Sequence, residues 1–566
     1  MKIYKIFIVL FSLFIFIATG CEEKVLDKEP RTTFSEKDVW KDMSLIKKFV
    51  ASTYNGLGNW GIGFQKWNGS QALPGTGTDM AYANWDWGQR ILNKGNISPE
   101  SMEPWGSSWS NIWPEKYEYI RKCNIFLTRI GDVEADQAEK DVLKGEVKYL
   151  RARYYYDLIR YFGGVPLITE VFELDDDFMT PRTPYEEIVN WIVKELDEAR
   201  KLVPEQRSAD NWGKVNKGAC LALKSNLLLY ANSKLHDPGT DPSGPLYDYT
   251  KDTWQQVLDA AKAVIDMPQY SLQQVDDWED YNEIFLGPNS EIIFAKPYHP
   301  EYGAINERLE YVNNSNGFNG WGNNVPIQNL VDAFEMDNGR MIDEAGSGYD
   351  PSPETIYENR DPRFYADILY QGAEYRGRDM EYYLPGGLDS KDGPEPWNAS
   401  KTGYNLRKFL DESLEFKVDR GDTPWIYLRL AEMYLNCAEA HYNMGNEAQA
   451  RQYLNTIRNR VNMPDVNTSG EALFRDIQHE RRIELCFEHH RFFDVRRWMI
   501  ADSTDSENAM GITWKKVDQN GELDPDGELT YEYHTTQERF FYDRMYYLPI
   551  PISEINKSDM KQNVGY

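Results

Sequence analysis

Two stretches of this chain set aromatic rings beside amide and charged groups in Gly-rich text. The first, Asp79-Met-Ala-Tyr-Ala-Asn84-Trp85-Asp86-Trp87-Gly-Gln-Arg90, joins carboxylates, an amide, two indoles and a guanidinium. The second, Asn316-Gly-Phe318-Asn319-Gly-Trp321-Gly-Asn323-Asn324, repeats the combination. Indole faces suit the apolar faces of sugar rings, while Asn, Asp and Arg suit pairs of hydroxyls. Exposed rings on loops need a reason, because they carry a solubility cost. If the first stretch is extended, residues two apart point the same way and Trp85 and Trp87 form one platform. Trp321 meets that platform if the two loops come together. The candidate ligand contacts are therefore Asp79, Asn84, Trp85, Trp87 and Arg90, with Tyr298, Asn319 and Trp321 from the later region. For each ring the alternative is packing within its own loop.

Other chemistries find less support. Gly56-Leu-Gly58-Asn-Trp-Gly61 matches a dinucleotide fingerprint in letters, but a helix precedes it and a Trp-rich loop follows, the reverse of what the motif needs. His479-Glu480 begins a zinc-protease motif, yet Ile483 occupies the second histidine position. His489 and His490 are adjacent, about 100° apart on a helix, so packing or hydrogen bonding suits them better than joint metal ligation. Asp518, Asn520, Glu522, Asp524 and Asp526 resemble part of a calcium loop, but Leu523 and Leu529 stand where Gly and Glu belong; a solvated hairpin is the favoured reading. No P-loop or G-x-S-x-G is present. With 91 acidic residues, carboxylate pairs for glycoside hydrolysis always exist, and nothing singles out two. No motif calls for a cofactor or a metal.

The elements that must carry the two stretches are mostly helical. Val39, Met43, Ile46, Val50 and Tyr54 fall at helical spacing, and 113–130 is helix-like. Leu143, Val147, Leu150, Tyr154, Leu158 and Tyr161 form an apolar stripe stopped by Gly163-Gly164. Thr183-Pro-Tyr-Glu186 reads as a capping box opening the next helix. Helices are expected over 214–235, 254–267, 426–445 and 447–461, and one long uninterrupted helix over 474–498, which lacks Gly and Pro. On that last helix Arg481, Glu484, Glu488, Arg491, Asp494 and Trp498 share a face, so opposite charges can pair along it. Between them, 55–110 and 276–422 lose periodicity, and loops so long are usually functional. Near the C-terminus, 512–517 and 529–533 alternate like the arms of a hairpin.

The chain has 566 residues, 41% hydrophobic and 14% aromatic, with a net charge of −29. That charge excludes nucleic acid, whose affinity comes from phosphate neutralisation, and adsorption to anionic lipid. Five cysteines are few, and Cys123, Cys220, Cys437 and Cys486 fall in helix-like runs, so buried free thiols are expected. Lys2 and Lys5 precede an apolar run, 6–17, too short to span a membrane. Ala18-Thr19-Gly20-Cys21 then resembles a bacterial lipobox, which implies a signal peptide over 1–20 and lipidation of Cys21, the chain's sole contact with the membrane.

The text ERRIELCFEHHRFFDVRRW, from Glu480 to Trp498, resembles the C-terminal signature of the SusD/RagB family of outer-membrane nutrient-uptake lipoproteins of Bacteroidota. Three further blocks agree in order: GEVKYLRARYYYDLIRYFGGVPL, the RLAEMYLNCAEA run, and the ending QNVGY. The resemblance covers essentially the whole mature chain. It implies a mostly α, SusD-like fold: tetratricopeptide-like helix pairs as scaffold, a large irregular loop-rich second face, and short β-hairpins. It also implies two regions, 22–230 with helix pairs and the Trp-rich loop, and 270–566 with the ligand-loop insertion and C-terminal helices. Glu22-Glu23 resembles an export tag to the cell surface. The function implied is non-enzymatic: capture of an oligosaccharide or polysaccharide, through aromatics of the two loop regions, for delivery to a SusC-type TonB-dependent outer-membrane transporter. Peptide capture of the RagB kind, and a helical glycoside hydrolase, are the alternatives.

Overall fold

A computed structural model describes residues 39–58, 72–85, 89–103, 109–173, 175–176, 179–299, 307–414 and 421–566. Cys21, Asp86 and Trp87 lie outside the described residues.

The chain is mostly helical. Its scaffold is a stack of helices: α1 (Met43–Thr53), α2 (Ile112–Arg129), α3 (Gln137–Phe162), α4 (Tyr185–Leu202), α5 (Lys217–Ala231) and α6 (Trp254–Ile265). Each packs on the next from α2 to α6. The expected stripe on α3 is fully buried, and Gly163 ends the helix in a left-handed conformation, φ 72°, that favours glycine. After the long insertion that carries the short helix α7 (Glu307–Asn313), α8 (Leu430–Asn443) resumes the stack by packing on α6 and α5. Then follow α9 (Glu447–Arg460), α10 (Glu471–Glu484) and α11 (Arg491–Arg497). The four cysteines within described segments are buried and free.

Among the described residues strands appear only as two-stranded antiparallel pieces. Those used here are β1 (Ala81–Ala83), β2 (Ile292–Lys296), β3 (Asn324–Pro326), β4 (Trp425–Arg429), β5 (Ala509–Val517) and β6 (Glu528–Gln537). β5 and β6 form the expected hairpin, longer at both arms.

Three local expectations are corrected. Residues 426–429, expected as the start of a helix, form β4 paired with β2. Their Ile-Tyr-Leu side chains are buried on both faces, which suits a strand in the core. The capping box does not form: Pro184 is the N-cap, the Thr183 hydroxyl accepts from Leu167 N, and Glu186 accepts from Thr250 N at 2.8 Å.

The third correction is the largest. The run over 474–498 is two helices, α10 and α11, joined by a turn in which Phe487 and His489 adopt left-handed backbone, φ 61° and 71°. Such residues cost about 1–2 kcal/mol each. Most of the charge pairs around this turn run to other elements rather than along one helix. Arg429 of β4 donates to both oxygens of Glu488 at 2.6 and 2.8 Å, to Glu484 at 2.6 Å, and to the Glu484 carbonyl at 2.6 Å, capping α10. Tyr281 donates to the same carbonyl. Arg363 and Arg460 also reach Glu484, and Lys408 stands 3.1 Å from Glu488. Farther along, Arg497 pairs with Asp494 and Glu439, and Trp498 Nε1 donates to Glu439 at 3.0 Å. All of these side chains are buried. Removing one partner of such a pair strands a charge in the interior, at about 3–5 kcal/mol.

Candidate functional site

The two aromatic stretches meet. β1 and β3 pair antiparallel, with Ala81 opposite Pro326, Tyr82 opposite Val325 and Ala83 opposite Asn324. The ladder continues past the strand ends: Asn84 N donates to Asn323 O at 2.8 Å, and Trp85 N to Asn323 Oδ1 at 3.0 Å. Trp85 Nε1 then donates to the Trp321 carbonyl at 3.0 Å. Both indoles are half-buried. Trp321 is fixed from behind, its N–H bonded to Tyr311 O at 2.8 Å and its ring 5.0 Å from that of Tyr311.

The Gly/Asn text of the second stretch has a local cause. Asn319 ends a short turn at φ 63°, a conformation Asn tolerates. A Cβ on Gly320 would lie 2.2 Å from Asn314 O, so the backbone can fold back here only with glycine. Asn319 is half-buried beside Trp321 in sequence.

A third segment, which sequence reasoning left unassigned, closes the junction. Asn84 is buried, and its Nδ2 donates to Asn398 O at 3.3 Å and Ala399 O at 3.1 Å. Lys401 answers from the same segment, its N–H to Asn84 Oδ1 at 3.3 Å and its Nζ to Asn84 O at 2.9 Å. Asn84 thus clamps three loops. Next to that clamp stands Trp397, 65% exposed. The Pro-Trp-Asn text in a Gly- and Pro-rich loop was the available signal for it.

The remaining candidates take different positions. Arg90 Nη2 donates to Tyr82 OH at 3.1 Å, and Lys401 Nζ lies 5.8 Å from the Tyr82 ring. Asp79 points inward: Arg491 Nε and Nη2 meet its two oxygens at 2.9 and 2.6 Å, and Arg482 lies at 3.2 Å. Burial alone would raise its pKa, but the Arg482 and Arg491 guanidinia outweigh it and hold the carboxyl at about 2. Asp79 therefore ties the first loop to the α10–α11 turn. Tyr298 follows β2 and stands beside Lys296, whose Nζ is 5.7 Å from its ring. Trp87 lies outside the described residues.

A groove lies elsewhere in the molecule. It has a volume of about 890 Å³ and is walled by residues such as Arg340, Glu344, Arg475, Asp476 and His479. Its described lining has no Trp, Tyr or Phe, so it offers no stacking face. The carboxylates of the 518–527 turn accept from its own amides: Asp518 from Asn520 N and Glu522 N, Asp524 from Asp526 N, each at 2.9 Å. Among the described residues no group of three or more His, Cys, Asp or Glu is placed to hold a metal.

Comparison with known proteins agrees with this architecture. Residues 290–566 match the family model described as SusD family, and residues 24–229 match one described as starch-binding associating with outer membrane. A SusD-like protein of Bacteroides fragilis, of known crystal structure, is 30% identical; the similarity covers 94% of this chain and 99% of that one, with a TM-score of 0.77. SusD-like protein P25 of Formosa agariphila is 25% identical, covering 88% of this chain and 90% of its own. Starch-binding protein SusD of Bacteroides thetaiotaomicron is 25% identical over 79% of this chain and 76% of its own. Among the described residues no helix is long and apolar enough to cross a membrane.

Proposed function

This chain belongs to the SusD/RagB family, and on that premise we propose that it captures an oligosaccharide or polysaccharide at the Trp85–Trp321 junction without breaking a bond in it. The observation that carries the reading is the hydrogen bond from Trp85 Nε1 to the Trp321 carbonyl, which fixes the half-buried Trp85 indole on the backbone of Trp321, from a distant part of the chain. Preset rings lose little entropy when a sugar stacks on them. Arg90, Asn319 and Trp87 complete the proposed contact set, while Asp79 and Asn84 hold the loops in place behind it. The family description, starch-binding and associating with the outer membrane, supports a glycan as ligand. Tyr298 remains in the proposed set as an outer contact for a longer chain.

The protein would be anchored in the outer membrane through a lipidated Cys21, face the medium, and hand its ligand to a SusC-type TonB-dependent transporter. Changing Cys21→Ala releases it from the membrane fraction on this reading; full retention removes the anchor.

A binding screen of soluble oligosaccharides against peptides tests the ligand class. Saturable binding of a glycan, with no release of reducing ends on long incubation, is expected. Binding of peptides alone overturns the glycan reading, and release of reducing ends overturns the non-enzymatic one.

A further inference from the structure

Away from the junction, the interior of the scaffold contains a cavity of about 40 Å³. That is room for roughly two or three water-sized particles. Its wall carries an excess of positive charge. Lys116 of α2 and Arg153 and Arg160 of α3 all line it and all converge on one carboxylate, Asp157. Lys116 Nζ lies 2.9 Å from Asp157 Oδ2, and Arg153 Nε and Arg160 Nη2 lie 3.1 and 2.7 Å from Oδ1. The side chains of Lys116, Arg153 and Asp157 are at most 9% exposed and that of Arg160 is 12% exposed, so water screens this cluster little.

The other acids nearby are held elsewhere or stand off the wall. Glu488 also lines the cavity, but its oxygens are engaged by Arg429 and Lys408, a second pair of cations. Glu432, whose two oxygens have no hydrogen-bond partner, stands behind His490, 3.3 Å from its Nδ1, and does not line the cavity. The phenol of Tyr156 is pushed up to about 12 by burial and stays neutral. Two lining residues also present nitrogen atoms without a hydrogen-bond partner: Arg160 Nε and His489 Nε2. Both are held firmly. The Arg160 guanidinium sits 3.9 Å from the Phe493 ring centroid and 4.2 Å from that of Tyr156. His489 is set by its left-handed backbone, φ 71°, and by the Trp425 ring at 4.8 Å. An uncompensated buried cation is strongly unfavourable, and so is a buried donor without an acceptor.

We propose that this cavity is a binding site for a single small inorganic anion of halide size, with Lys116, Arg153, Arg160 and His489 as its donors. One negative charge there offsets the surplus around Asp157 and accepts from Arg160 Nε and, in its Nε2–H tautomer, from His489, the two donors on the wall that the chain leaves unmet. The anion would join α2 and α3 to β4 and the α10–α11 turn, and so acts on the stability of the scaffold. It is independent of glycan capture.

The test uses the purified full chain crystallised with sodium bromide in place of chloride. An anomalous bromine peak inside the cavity, within reach of Lys116 and Arg160, is expected. A cavity filled by water alone overturns the proposal. In solution, protein dialysed into sodium gluconate and titrated with chloride at constant ionic strength should show a saturable rise in melting temperature. Its size should be on the order of 1 °C for each tenfold excess of chloride over Kd. The same titration with sulfate should do nothing, and a response equal for all anions also overturns the site. Arg160→Gln removes one cation and should abolish both the bromine peak and the halide response; a peak that persists shows that the charge surplus does not draw the anion.

Discussion

The α10–α11 ion network and the Trp85–Trp321 junction both draw on Trp, Arg and Asp, yet they are organised in opposite ways. In the network charged side chains are buried and satisfied by other side chains: Glu484 and Glu488 each meet several cations, and Trp498 is 5% exposed with its N–H on Glu439. At the junction the bonds that matter run to backbone carbonyls, and the ring faces stay partly open. The first arrangement uses chemistry to fix register; the second fixes register with the backbone and leaves chemistry available. Asp79 belongs to both, since it lies in the first aromatic stretch by sequence and in the network by contact.

The sharpest way to test that division is to break the network. Glu484→Ala leaves Arg363, Arg429 and Arg460 without their shared carboxylate, so we expect a loss of about 3–5 kcal/mol in unfolding free energy. Glycan affinity measured well below the lowered melting temperature should be unchanged, because no ring at the junction is touched. Lost affinity with an unchanged melting curve would instead make the α10–α11 turn a ligand site.

Asp79→Asn tests the residue that joins the two regions. The amide keeps the shape but leaves Arg491 and Arg482 facing a neutral group, at a cost of about 3 kcal/mol or somewhat less. Binding should weaken several-fold as the first loop loosens. The effect has a defined pH window. The folded carboxyl sits at about 2, below the usual value of roughly 3.9, so its contribution is complete above about pH 4 and disappears as pH falls through about 2. Urea denaturation of the two proteins from pH 6 to pH 2 should show their stability difference shrinking over that range. A difference that grows on acidification would contradict the ion pair.

A smaller change sharpens the junction itself. Trp85→Phe keeps a ring but removes the N–H that meets Trp321 O, a bond worth about 1 kcal/mol. Affinity should fall about fivefold, and equal affinity would mean that the hydrogen bond does not order the platform.

The helices were legible because their apolar spacing is set by the core they face, as the buried stripe on α3 illustrates. The two aromatic stretches were legible as candidates because residue types accumulate there without periodicity. Which of their polar groups turn inward was not legible: Asp79 and Asn84 read like ligand contacts, and only partners more than 300 positions away, Arg491 and Asn398, show them as clamps. The break between α10 and α11 was also hidden, since neither Gly nor Pro marks it. Phe487 and His489 are held in left-handed backbone by contacts that a sequence window does not contain. Residues 426–429 failed for a similar reason, because the strand they pair with lies far upstream. Trp397 was visible in the text, but its neighbourhood with Asn84 was not.

The central claim is that the Trp85–Trp321 junction binds glycan by stacking. Calorimetric titration of wild type, Trp85→Ala and Trp321→Ala with soluble oligosaccharides, with melting curves in parallel and the buried Trp498→Ala as a folding control, measures it directly. The account predicts at least a tenfold weakening in both junction variants, which requires only about 1.4 kcal/mol, with melting temperatures close to wild type. Wild-type affinity in both variants would contradict it and move the site elsewhere on the molecule.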